Sequence, residues 1–335
     1  MASRRQYTLE LLLGAKTEPG YNSSIKNAEK ALTGISSTAK RVAGLVTSAF
    51  AAVNISNVIS DAVEEYSGFE QELTNTAAIA GASQTEYGQL EAASREAGMA
   101  TTKTAGESAA ALGYMALAGW DVNESTSALM PVLKLSESTN LDLARTSDLV
   151  TDSMGALKLE VSELPEYLDL VTKAQNSSNQ TAEQLMEAYI RAGGAARSLG
   201  IDAKDAGIAL GILANNGTKA SEGGRTLNAM LTRIAANKEA VKQMNALKIS
   251  IFDAKGNFVG FEEALKRMNK GLDGLTMEEQ AKALKKIAGT QYYTKMKYLL
   301  DGVKEGADGS ESAWDALEKK LSHAEGTLDE MDAKI

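Results

Sequence analysis

The chain has 335 residues, no cysteine, one histidine, three prolines, 5% aromatic residues and a net charge of -9. That length allows about two ordinary domains; the missing cysteines exclude a disulfide framework and a thiolate metal site. Acidity argues against a nucleic-acid partner, and no apolar run of about eighteen residues offers a membrane span.

In residues 1–20, Tyr7, Leu9, Leu11 and Leu13 alternate with Gln6, Thr8 and Glu10, a period of two that predicts a short strand followed by a turn. The apolar run is too short for a signal peptide, and Glu10 interrupts it. Residues 21–72 change period. Ile25, Leu32, Val46 and Val53 recur at heptad spacing, with Ile35 and Val42 at the alternate seam position. This pattern fits an oligomerising coiled coil or a long amphipathic helix packed on its own domain.

Residues 73–303 read as a compact multi-helix core. Ser83 with Glu86, Thr104 with Glu107, Thr181 with Gln184 and Thr276 with Glu279 fit the capping box, in which a hydroxyl and an acid or amide each satisfy one orphan N–H. A Thr-capped helix, a Gly-apolar-Asp link, a second helix and an Arg-Thr pair occur twice. The links are Gly119-Trp120-Asp121 and Gly200-Ile201-Asp202, and the pairs are Arg145-Thr146 and Arg225-Thr226. Two related units, about 102–175 and 179–247, follow from this order; Pro131 should kink a helix of the first.

The stretch NNGTKASEGGRT, with Gly223, Gly224, Arg225 and Thr226, resembles a phosphate loop in composition but fails its Gly-x4-Gly-Lys spacing in both registers. A glycine turn between closely packed helices is the expectation. Near 248–260, Ile249, Ile251 and Phe258 flank the turn from Asp253 through Gly256 to Asn257, predicting a small β-hairpin. Phe258 and Ala264 occupy the sixth and twelfth positions where a calcium loop needs Gly and Glu. In residues 304–335, Trp314, Leu317, Leu321, Ala324, Leu328, Met331 and Ile335 follow spacings of three and four, predicting the start of a coiled-coil rod with an oligomerisation seam. His323 has no second His or Cys to share a metal, and no carboxylate pair stands out. No catalytic, cofactor-binding or metal-binding residue is assigned. The fold expected is mainly α.

The segments TTKTAGESAAALGYMALAGWDVNES, LMPVLKLSESTNLDLARTSDLVTDSM, SNQTAEQLMEAYIRAGGAARSLGI, GGRTLNAMLTRIA and ISIFDAKGNFVGFEEAL occur in an order that resembles the core region of bacteriophage tail tape measure proteins, over roughly residues 73–300. Family features map to Ala118, Gly119 and Trp120; to Asp142, Leu143, Ala144 and Arg145; to Gly224, Thr226 and Leu227; and to Phe252, Asp253, Gly256 and Asn257. Arg225, between Gly224 and Thr226, departs from the family turn.

The resemblance implies a virion structural protein of the tail tube or tip that acts in tail assembly and length determination and leaves ahead of the genome. Its implied partners are further copies of itself as a trimer or hexamer, tail tube and baseplate proteins, and assembly chaperones, with no specific nucleic acid. The rival readings are a cell-wall-degrading enzyme fragment and a membrane-active or signalling coiled coil.

Overall fold

The computed structural model describes residues 55–306 and 308–334, with side-chain surroundings from residue 64 onward. The predicted strand in residues 1–20 and the seam residues Ile25, Leu32, Ile35, Val42, Val46 and Val53 lie outside the described residues. The chain divides into units Met1–Glu64 and Glu65–Ile335; the second is described below.

Fifteen α-helices occur among the described residues. After α1 (Ile55–Ala80) and α2 (Gln84–Ala100) come α3 (Ala105–Leu117), α4 (Val122–Thr139), α5 (Leu143–Leu157), α6 (Leu164–Gln175), α7 (Ala182–Ser198), α8 (Ala203–Asn215), α9 (Ala220–Ala236) and α10 (Lys238–Ala246). The remainder are α11 (Phe261–Leu272), α12 (Met277–Ala288), α13 (Tyr293–Gly302), α14 (Ala313–Leu321) and α15 (Thr327–Asp332).

Many of the helices start where a side chain can satisfy their first N–H groups. All four expected capping boxes form, and a fifth joins Asp121 to Glu124 at the start of α4. Loss of such a cap costs about 1 kcal/mol. The Gly-apolar-Asp links also share one geometry. Trp120 N–H donates to the Met115 carbonyl at 3.2 Å and Ile201 N–H to the Ala196 carbonyl at 3.0 Å, closing each helix before an aspartate opens the next. Helix α4 runs through Pro131 without ending.

These short links stack the helices in two layers. The sequential neighbours in one layer are α3, α5, α7 and α9, and in the other α4, α6 and α8. The first-layer helices begin at Ala105, Leu143, Ala182 and Ala220, spaced 38, 39 and 38 residues apart. Each expected unit of about eighty residues therefore contains two helix pairs, and the spacing that recurs is half as long. Stacked helix pairs of this kind resemble a solenoid, in which each pair buries its apolar face against the next. Helix α2 covers one end of the array on α3 and α4, while α12 packs on α9 and α10.

Three sequence expectations are corrected. No β-strand occurs among the described residues, and the predicted hairpin of 248–260 reduces to one isolated antiparallel bridge between Phe252 and Phe258. The Asp253 carboxylate accepts from the N–H groups of Lys255 and Asn257 at 2.8 Å each, so the chain reverses immediately after the bridge. Its arms run at once into α10 and α11, which leaves too little extended backbone for a ladder.

The predicted C-terminal rod is instead two short helices, α14 and α15, folded onto the array. Gly326 has φ +75°, a left-handed conformation that a continuing helix cannot contain. Trp314, Leu317, Leu321, Ala324 and Leu328 are buried inside this chain, with Met331 half-buried. Trp314 meets Phe261 edge-on at 6.0 Å between ring centroids. The period of three and four was set by packing on α8, α6 and α4.

Gly223 and Gly224 are not in a turn either. They sit in the first turns of α9, and the chain reverses earlier, at Gly217, which has φ +83°. The expectation of close helix packing does match the geometry. A Cβ on Gly224 would lie 2.8 Å from both Ala188 Cα and Arg191 Cβ, and nearer still to the Ala188 carbonyl oxygen. A Cβ on Gly193 would meet the Ala156 backbone at 2.8 Å, whereas one on Gly194 would meet nothing within 4 Å. Gly224→Val should therefore destabilise the fold by about 3 kcal/mol and Gly193→Ala should lower the melting temperature, while Gly194→Ala should raise stability by about 0.5 kcal/mol or more. Thermal unfolding followed by circular dichroism checks all three; an unchanged midpoint for Gly224→Val would remove the close-packing explanation.

Candidate functional site

The residues singled out by sequence do not converge on one cleft. Gly119, Trp120 and Asp121 form the link between α3 and α4, with Gly119 at φ +90° and Asp121 accepting from Glu124 N–H. Asp142 caps α5 by accepting from Arg145 N–H at 3.0 Å. The Arg145 guanidinium then reaches α7, pairing with Glu183 at 3.1 Å and Glu187 at 2.8 Å. Ser221 of α9 stands 3.5 Å from the same Glu187, so one polar chain crosses three first-layer helices. These groups are partly exposed, and each such pair contributes about 0–1 kcal/mol.

Thr226 is buried and Arg225 exposed on α9, while Asp253, Gly256 and Asn257 shape the bridged turn. Within that turn, the backbone N–H of Asn257 is the chief influence holding the Asp253 carboxyl below its usual range. Apart from Arg225 and Thr226 within α9, these residues cap helices, tie them together or shape a turn. None is aimed at a shared point in space where a reacting group could sit.

Three further features of the described residues bear on chemistry. No group of three or more His, Cys, Asp or Glu side chains is placed to hold a metal among them. His323 is exposed, its Nδ1 2.8 Å from the Lys319 carbonyl oxygen. The buried hydroxyls serve the core: Tyr167 donates to Ser153 Oγ at 2.6 Å and Tyr189 to the Ala203 carbonyl at 2.7 Å. Burial raises both phenol pKa values. No described helix is long and apolar enough to cross a membrane.

On the second layer, α14 and α15 cross α8, α6 and α4. An open cleft of about 900 Å³ borders this crossing, lined by Tyr167, Asp169, Lys204 and Leu321 among others. Asp169 of α6 accepts from Gly326 N–H at 2.7 Å and Leu328 N–H at 2.8 Å, holding the start of α15. Lys134 of α4 pairs with Asp329 at 2.6 Å, and Lys204 of α8 with Glu318 at 3.4 Å. Asp169, Lys134 and Gly193 were not legible as special residues: the first two look like ordinary surface charges, although a Gly-Gly pair inside a helical period could have marked the third.

One group opposes this seat. Burial, then the neighbouring Asp202, pushes the Asp205 carboxyl up from the usual 3.8 to about 6, with Glu318 of α14 and Glu262 of α11 adding to the effect and Lys204 opposing it.

The two-layer array and its polar ties define a helical protein whose distinctive residues build packing surfaces. The phage-related minor tail protein family matches residues 91–289, from within α2 to just past α12. The chain belongs to that family. It is also 30% identical over 264 residues to the tape measure protein of Pneumococcus phage Dp-1, an alignment covering 78% of this chain and 22% of that protein. The aligned part thus spans less than a quarter of that relative's length. No solved structure gives a significant match.

Because the folded-state pKa of Asp205 lies above the unfolded value, its ionised form costs stability above about pH 6, and the cost fades as pH falls toward 4. Asp205→Asn should raise stability at neutral pH by about 1 kcal/mol after allowance for partial exposure. The gain should shrink on acidification. Melting temperatures of both proteins across about pH 4–8 check this, and a constant difference would contradict the assigned cause.

Proposed function

We propose that this region is a folded docking and packing module of a phage tail protein, located in the tail tube or at the tail tip and acting in tail assembly. The observation that carries the reading is the family match over 91–289, joined by the likeness to a tape measure protein over most of the chain. The fold supports a structural role, because its distinctive residues cap and clamp helices.

A length-measuring segment needs extended helix, at about 1.5 Å per residue. The longest helix among the described residues has 26 residues and spans about 39 Å. The array folds its other helices back on one another, so it contributes little to length. Length determination falls to other segments, and this module anchors them to tube, tip or chaperone partners and to further copies of itself. Release ahead of the genome belongs to the same reading.

Purified tails should contain the chain when analysed by mass spectrometry, and removal of its gene should abolish tails or leave their length unregulated. Normal tails of normal length in the deletion strain would overturn the proposal. Incubation of the purified chain with peptidoglycan should release no fragments; release would favour the enzyme reading.

A further inference from the structure

Residues 313–332 form a strap that the rest of the fold cannot leave uncovered. Trp314, Leu317, Leu321 and Leu328 are buried against the array, and Trp314 also closes over Phe261. Lifting the strap into water would expose these side chains together with the face of α4, α6 and α8 that they cover. An open, empty face is therefore strongly disfavoured.

The ties around the strap's edge are weaker. Lys134–Asp329 and Lys204–Glu318 are partly exposed ion pairs, and Glu318 of α14 is one of the carboxylates that oppose ionisation of Asp205 on α8. The connection to α13 is residues 303–312. Among its described residues, Gly306 N–H donates to the Ser310 carbonyl and Gly309 N–H to the Gly306 carbonyl, both at 2.9 Å. Opened, ten residues can span about 33 Å.

We infer that the face of α4, α6 and α8 also seats residues 313–332 of a second copy of this chain, two molecules exchanging straps through an opened 303–312 connection. Exchange re-forms every contact that release would lose, including the Asp169 bonds to the N–H groups of Gly326 and Leu328 and the Trp314–Phe261 contact. Only the connection changes shape, so the balance depends on its preference and on how crowded the copies are. The inference rests on the tail-assembly reading only for that crowding. The exchange itself is read from purified protein.

The chain contains no cysteine, so introduced thiols are unique labels. Two differently tagged chains, one carrying Lys134→Cys and the other Asp329→Cys, are mixed, unfolded, refolded together at high concentration and treated with a short bismaleimide. A cross-linked heterodimer is expected, its yield rising with concentration. A refolded mixture with no cross-link between the two tags at any concentration would overturn the inference. In a second test, Gly306→Pro with Gly309→Pro removes the two N–H donors of the turn and the φ of +78° that Gly309 adopts. This variant should shift several-fold toward dimer in light scattering, with Trp314 emission still that of a buried indole in a Trp120→Phe background. A folded variant that stays monomeric would count against exchange. Loss of exchange would leave the location of the protein in the tail untouched, since that is read from purified tails.

Discussion

The close approach of α7 to both of its first-layer neighbours is the contact on which the array depends. Gly193 lies against the Ala156 backbone of α5, and Gly224 of α9 against the Ala188 backbone of α7. Small residues at the crossing points let backbones come nearer than any side chain would allow, and the larger residues on either side then interlock. Tyr189, Leu185 and Met186 of α7 are fully or nearly fully buried as a result. With α7 held on both sides, the Arg145–Glu183–Glu187–Ser221 chain needs only modest strength, because packing has already set the register.

A layer built in this way leaves one face of its second-layer helices apolar, and α14 and α15 cover it. The cover combines a firm interior with a weak perimeter. Trp314 and the buried leucines hold it by area, whereas Asp169, Lys134 and Lys204 place it. Like charges around Asp205 work against the α14 end at neutral pH. The match stops at residue 289, before the strap begins.

The helices were the legible part of the fold, because their signals are local. A hydroxyl or carboxylate three residues before an acid or amide satisfies backbone groups within one turn, whatever the rest of the chain does. For this reason all four expected capping boxes are present, and so are both Gly-apolar-Asp links. The 248–260 segment was misread because alternating apolar residues at Ile249 and Ile251 looked like a strand face, when their burial comes from packing against neighbouring helices. Gly223 and Gly224 looked like turn residues because glycine's absence of a side chain serves a tight crossing as well as a bend. Nothing local distinguishes the two uses.

By itself, then, the sequence determined a cysteine-free, acidic, mainly helical protein, the points where many of its helices start and stop, and its likeness to phage tail proteins. Only the tertiary structure decided which apolar stripes face inward on the same chain and which glycines mark contacts between helices. Periodicity records that a face is buried and is silent about what buries it. The seam from Trp314 to Leu328 is the clearest case: a spacing of three and four suits a partner helix or a groove in the same molecule equally well. Here Gly326 and Asp169, residues outside that period, direct it to the groove.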